Sequence, residues 1–362
     1  MASCGNQFLG YCCSGLFLLR SYSRCRLLVF LSLTVFIVSF ALLALVSKPV
    51  FAEVRIAMAG KNDLERNGEY VWVNAFANHL NDHGFETLIY PSNILGREQE
   101  RLDQTALGLI HVNLGIYATA AKIEPLTRGL ALPFLFDDVD HFYRLINNTQ
   151  LVDDINQSLN LFGVQVVAFP MRGGGSGLFN TTHSIKTLAD IRRLRLRAAD
   201  RTQLKFLQAL GSKATVVGWA EVANALQTNI AQGYINPPAS ALLFGHTDLL
   251  SYYTPLNVNF PFRIVSLSQD WFQSLKQYQQ QIIKDAIKRA NIANRQWLEN
   301  WTLQAEQLLL KEGIVIDHIS TEEREQFKRL AKGMWTEVMD DSEIQSLKQA
   351  LTAAENSTGK GL

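Results

Sequence analysis

The sequence predicts an α/β protein of two domains, and three observations carry that reading. Strand-length apolar runs alternate with helix-length periodic segments through the first part of the chain, the order that calls for a mainly parallel sheet. The alternation begins afresh after the glycine-rich stretch "MRGGGSG" at 171–177. The chain has 362 residues, 48% of them hydrophobic, which is more than one small core needs.

The elements follow in order. "VRIAMAG" (54–60) alternates apolar residues with others and reads as the opening strand. "EYVWVNAFANHLNDHG" (69–84) is a helix stopped by Gly84, and "FETLIYP" (85–91) is a strand ended by Pro91. "GREQERLDQTALG" (96–108) is a helix, "LIHVNLG" (109–115) a strand, and 137–149 and 153–163 are two further helices before the strand "VQVVAFP" (164–170). In the second unit Thr187 caps a short helix at 187–193, followed by the strand "LRLRAA" (194–199) and the helix "RTQLKFLQALG" (201–211). "KATVVG" (213–218) and "AQGYIN" (231–236) are strands around a helix at 219–230, and "PFRIVSLS" (261–268) returns as a strand. Residues 271–311 are almost wholly helical, 321–355 carry helices of mixed charge, and "AENSTGKGL" (354–362) is a frayed tail. No repeat or low-complexity linker separates the halves, so more than one crossing joins them.

Net charge is +1, but it is unevenly placed: Arg20, Arg24, Arg26 and Lys48 are the only charges in residues 1–52. Removing those four from 34 basic residues leaves 30 against 33 acidic ones, so residues 53–362 carry −3. The three arginines precede an uncharged apolar run at 27–47, and Val50 and Ala52 are small enough for a signal peptidase site before Glu53. Residues 1–52 are therefore a cleaved signal peptide or, since the run is long enough to span a bilayer, a retained membrane anchor. Both export residues 53–362. Cys4, Cys12, Cys13 and Cys25 all lie in this leader, which leaves the exported part without a thiol or disulfide. An exported, slightly acidic body also excludes nucleic acid as a partner.

Catalytic constellations are not found. "RGGGSG" lacks the Gly-Lys-Ser/Thr ending of a phosphate loop, so the glycines are read as a sharp turn between strands. His79 and His83 have zinc-like spacing but neither a third ligand nor an adjacent glutamate, and read as a polar helix face. Asp137–Asp138 and Asp153–Asp154 fall at helix starts, where they complement the helix dipole. In "RRLRLRAAD" (192–200) Arg193, Arg195 and Arg197 share one strand face and Leu194 and Leu196 the other. Such a face is either solvated or, at a domain junction, a place where one planar guanidinium meets a carboxylate.

Five stretches occur in a familiar order: "YPSNILGREQE" (90–100), "LPFLFDDVDH" (132–141), "SIKTLADIRRLRLR" (184–197), "ALQTNIAQGYINP" (225–237) and the long helical segment after "WFQSL" (271–275). With them the chain resembles the extracytoplasmic solute-binding proteins of tripartite ATP-independent periplasmic (TRAP) transporters over nearly all of residues 53–350. The resemblance implies a two-domain periplasmic-binding-protein fold with crossing hinge strands and a long shared helix. Domain I would be 53–174 plus 263–300, and domain II 175–262 plus 301–362. It implies capture of a small organic acid and delivery to the membrane permease subunits, with no cofactor, metal or catalysis, and it leaves a homodimer open.

Arg197 matches the family's selectivity arginine and would hold the carboxylate. Trp219 would be an aromatic contact, Asn236 matches the Asn of the family's Glu-Asn-Pro, Tyr234 precedes it on the same strand face, and Tyr117 would donate a hydrogen bond. Ser176 stands where many members have a second arginine, Ser184 replaces a proline, and Gln232 and Ile235 replace acids. With one arginine the cleft would suit a monocarboxylate with an apolar or aromatic body. A binding protein that signals to a membrane receptor is the alternative function. An exported enzyme on the same fold is a further one, for which no nucleophile is at hand.

Overall fold

The computed structural model describes residues 53–356; the leader expected at 1–52 and the end of the tail lie outside them. The first sheet holds β1 (Glu53–Ala57), β2 (Glu86–Tyr90), β3 (Val112–Gly115), β4 (Val164–Ala168) and β10 (Ile264–Ser268) in the order β2-β1-β3-β10-β4. The second holds β5 (Gly177–Asn180), β6 (Arg195–Ala198), β7 (Lys213–Val216), β8 (Gly233–Asn236), β9 (Tyr252–Thr254) and β11 (Val315–Ile316) in the order β11-β9-β5-β8-β6-β7. Parallel pairing joins β1 to β2 and β3, and β6 to β7 and β8. β10 is antiparallel to both its neighbours, because it enters the first sheet from the second half of the chain.

Fourteen helices surround the sheets among the described residues: α1 (Gly68–Asp82), α2 (Glu98–Ala106), α3 (Tyr117–Ala120), α4 (Leu126–Gly129), α5 (Val139–Asn148), α6 (Leu151–Leu161), α7 (Leu188–Ile191), α8 (Arg201–Ala209), α9 (Val222–Gln227), α10 (Pro238–Phe244), α11 (Gln269–Ser274), α12 (Gln277–Lys311), α13 (Thr321–Gly333) and α14 (Asp341–Asn356). Their starts follow from capping. Asp138 accepts the His141 N–H at 2.6 Å at the head of α5, and the N–H and hydroxyl of Thr187 both reach Asp190 at the head of α7. The helix expected at 219–230 is a 3₁₀ turn, Trp219–Glu221, followed by α9.

Two features place a cleft between the sheets. The long α12 packs its buried Ile283, Ala286 and Ala290 side along α1, and its later Trp301 and Leu309 enter the core of the second sheet with Phe179 and Tyr253. The chain also crosses between sheets at 169–176 and 255–263, and the two crossings bond to each other: Arg172 N–H to Pro261 O at 2.8 Å, Ser176 N–H to Asn259 O at 2.8 Å, and Arg263 N–H to Pro170 O at 2.8 Å. This ribbon explains the glycine run. A Cβ on Gly175 would lie 2.0 Å from Asn257 Oδ1, so the crossings could not approach so closely with any other residue. The C-terminal segment departs from the expected division: α14 packs on α5 and α4, beside the first sheet and not the second.

Candidate functional site

The arginine-rich strand resolves by depth. Arg193 is exposed, and Arg195 is half-buried with its Nε and Nη2 on the Asn229 carbonyl at 3.1 and 2.9 Å. Arg197 is only 4% exposed, because β6 lies inside the sheet with Thr215 and Tyr234 as its register partners. Its Nε donates to Val217 O at 2.9 Å, and its guanidinium carbon stands 5.4 Å from the centre of a Trp219 ring. Burial pulls its pKa down to about 10, against the upward pull of Asp200.

Asp200 follows the strand and caps α8, one oxygen accepting the Gln203 N–H at 2.9 Å. The other oxygen accepts the Tyr117 hydroxyl, from the segment after β3, so this bond joins the two sides of the cleft. Burial first, then the Asp200 charge, raises the Tyr117 hydroxyl well above its ordinary pKa, so it stays a donor.

Beside this bridge lies a partly open cavity of about 100 Å³. Tyr117, Asp200, Asn236 and Ser176 line it, together with Asn259 and the aromatic walls Phe206 and Phe260. Arg172, a residue with no role in the sequence reading, also lines it. Burial pulls Arg172 down to about 10, with Arg263 and Arg197 acting in the same direction and Glu69 and Glu98 against it. Among the described residues no hydrogen bond or ion pair engages its guanidinium. Arg172 itself is half-buried, whereas Asn236 Nδ2 and Asn259 Oδ1 are buried without a partner. A buried amide group in that state costs about 1–3 kcal/mol unless something fills the space.

An ion network holds the floor. Glu98 accepts Arg263 Nη1 at 2.9 Å, Arg101 Nη2 at 2.8 Å and the Ile116 N–H at 3.1 Å. Glu69 lies 3.3 Å from Arg263 Nε and accepts the Ala59 and Gly60 N–H groups at 3.2 Å. Burial alone would raise Glu98, but Arg263, Arg101 and the Ile116 N–H hold its carboxyl below the usual range. The network thus fixes the backbone after β1, after β3 and at the second crossing, where the first sheet meets the cavity.

Of the six residues expected from sequence, the structure brings Tyr117, Ser176 and Asn236 to the cavity wall. Arg197 and Trp219 form a pair next to it and are coupled to it through Asp200. Tyr234 does not reach it. Its side chain is fully buried one strand repeat deeper than Asn236, edge-on to Trp219, with its hydroxyl 3.1 Å from His246 Nδ1. The single-arginine cleft also needs correction. Ser176 does leave its position without a cation, but Arg172 supplies one from four residues earlier. Its signal was a lone arginine heading a glycine run at a domain junction. His79 and His83 lie against each other on α1, ring centres 4.2 Å apart, and among the described residues no group of three His, Cys, Asp or Glu is placed to hold a metal.

The profile of the DctP family, bacterial extracellular solute-binding protein family 7, matches residues 66–342. A solute-binding protein of Chromohalobacter salexigens is 23% identical over 267 residues, covering 72% of this chain and 77% of that protein. The ectoine/5-hydroxyectoine-binding periplasmic protein UehA of Ruegeria pomeroyi is 24% identical over 285 residues, covering 74% of this chain and 80% of its own. Among solved structures, a TRAP periplasmic solute-binding protein of Anaerococcus prevotii with bound D-glucuronate matches with a TM-score of 0.77 at 18% identity, covering 86% of this chain and all of that one.

Proposed function

Because this chain belongs to bacterial extracellular solute-binding protein family 7, we propose that it captures a small organic acid by its carboxylate at Arg172 and passes it to TRAP permease subunits. The observation that carries this reading is the half-buried Arg172, with no hydrogen bond or ion pair to its guanidinium among the described residues, lining a cavity beside an unpartnered Asn236 Nδ2. A planar guanidinium and an amide donor together match the two oxygens of a carboxylate. Charge-assisted bonds of this kind contribute about 1.5–3 kcal/mol each, more where water is excluded.

Arg197 adds positive potential from behind the wall and keeps Trp219 in place. Ser176 and Tyr117 shape the rim. Both sides of the cleft supply wall residues, so an acid between them favours the closed arrangement by its greater affinity for it. The permease reads that arrangement. Residues 1–52 export the chain, and the lobes that close follow the sequence division except for α14, which belongs with the first. The family is one of binding proteins, and the role assigned here needs no turnover.

Isothermal calorimetry of the full chain against a panel of organic acids, with Arg172→Ala beside it, tests the proposal. Binding of at least one acid is expected, weakened about a hundredfold or more by the substitution, from the loss of a pair worth about 3 kcal/mol. An Arg172→Ala protein that binds the same acid as tightly would refute it.

A further inference from the structure

We infer that one pole of the first sheet rests on the membrane surface, kept there by an uncleaved apolar run at 27–47, so that the chain works as a tethered binding protein. This face is remote from the cavity, and its role is independent of what the cavity binds.

The pole is where β1 begins. β1 and β3 run parallel with Ile56 opposite Val112, so three residues earlier the chain enters the sheet at Glu53 beside Leu109. Arg55 ties the two strands together there, its Nε donating to the Leu109 carbonyl at 2.5 Å. Helix ends gather at the same place. α2 stops at Ala106 and α6 at Leu161, and a Cβ on Gly163 would stand 3.1 Å from the Ala106 carbonyl. Gly163 O accepts the Gln269 N–H at the head of α11 at 3.0 Å, and His111 O accepts the Ser268 N–H at 3.0 Å. These contacts collect four exposed apolar residues at one end of the sheet: Leu107 is 75% exposed, Leu109 55%, Leu161 92% and Phe162 36%. Exposed apolar side chains gathered in this way mark a surface that meets something.

Reach, charge and area identify the partner as lipid. Only the five residues 48–52 separate the uncharged run from Glu53, and five extended residues cover about 17 Å. A run at 27–47 that spans the bilayer therefore keeps this pole at the headgroups. The pole is not basic. Arg55 is paired with Glu53 at 3.3 Å, and Glu86 and Asp270 are exposed acids. His111 is neutral at pH 7, since burial and Arg55 push it down to about 4. Contact is thus by apolar insertion and not by attraction to anionic headgroups. Four side chains of this size offer on the order of 400 Å², about half of what a stable protein interface takes from each partner. That is too little for a second copy in solution, and enough where the run already holds the chain at the surface. Leu109 precedes β3 and Tyr117 follows it, so the cavity lies at the far end of the strand from the lipid.

The described body holds no cysteine, so changing Cys4, Cys12, Cys13 and Cys25 to serine and adding Leu161→Cys gives the full chain a single thiol. A polarity-sensitive dye on that thiol is read in vesicles of phosphatidylethanolamine and phosphatidylglycerol carrying headgroup-spin-labelled lipid. Its emission is expected to shift to the blue and to be quenched several-fold more than a dye at Ile230→Cys, an exposed position after α9. Salt should not weaken the quenching. Adding Leu107→Glu and Leu109→Glu should abolish it. The intact mass of the unsubstituted chain from the membranes of an exporting cell should include residues 1–52. Cleavage before Glu53, equal quenching at both positions, or quenching that survives the two glutamates each overturns the inference. Energy transfer between dyes on separate copies, in place of quenching by lipid, would assign the patch to a second copy and overturn it as well.

Discussion

Replacing Arg263 by methionine isolates the contribution of the buried ion network. Arg263 is 4% exposed and is the one group bonded to both Glu69 and Glu98. Methionine fills much of the same volume without charge. Glu98 then keeps Arg101 and the Ile116 N–H, but Glu69, 1% exposed, keeps only the Ala59 and Gly60 N–H groups. Breaking a buried pair by removing one partner costs about 3–5 kcal/mol. Unfolding entropy near 2 cal/mol/K per residue over about 300 residues turns that into a fall in Tm of about 5–8 °C at pH 7.

The pH dependence sharpens the test. The folded pKa of Glu98 is depressed, so its contribution is present above the ordinary carboxylate pKa and is lost as the pH falls through the folded value. Without Arg263 the depression shrinks, and the Glu98 carboxyl protonates at a higher pH than in the wild type. The Tm gap between the two proteins should therefore narrow between pH 7 and pH 4, and adding Glu98→Gln to the variant should recover part of it. Melting followed by circular dichroism reads both. A gap under about 2 °C, or one independent of pH, would refute the argument that this network holds the cavity floor by charge.

Two other expectations follow from the same geometry. His246 is buried with a pKa near 4, so between pH 6.5 and 4 the unfolded chain binds the proton first and the site loses about 1.4 kcal/mol of stability per pH unit; His246→Gln should flatten that part of the Tm profile, and an unchanged slope would show that the histidine is not held neutral. Gly175→Ala should cost about 1–3 kcal/mol by forcing the crossings apart, and adding Asn257→Gly should restore most of it, since Asn257 supplies the clashing oxygen and itself has φ +49°; failure of the second change to rescue the first would mean the strain lies elsewhere.

Local periodicity records which face of an element meets a core, and by itself it determined much of this protein. The alternation from Val54 onward, the caps at Asp138 and Thr187 and the long helix up to Lys311 are written in neighbouring residues, and the order of five motifs identified the family. The strip from Arg193 to Arg197 put three arginines on one strand face; the family resemblance singled out Arg197, and the structure shows that it alone lies deep in the sheet. β5, β9 and β11 were less legible, being two to four residues long and, for β5, buried on both faces with no alternation to read. The site itself belonged to the tertiary structure. Arg172 comes to line the cavity only because 255–263 runs back against 169–176, some ninety residues later. Glu98 and Arg263, 165 positions apart, become a pair only when β10 enters the first sheet. Tyr234 and Asn236 share a strand face, yet one strand repeat of depth puts the first under Trp219 and the second in the cavity. Sequence spacing fixes direction along an element, whereas depth and charge balance depend on what the rest of the chain brings alongside.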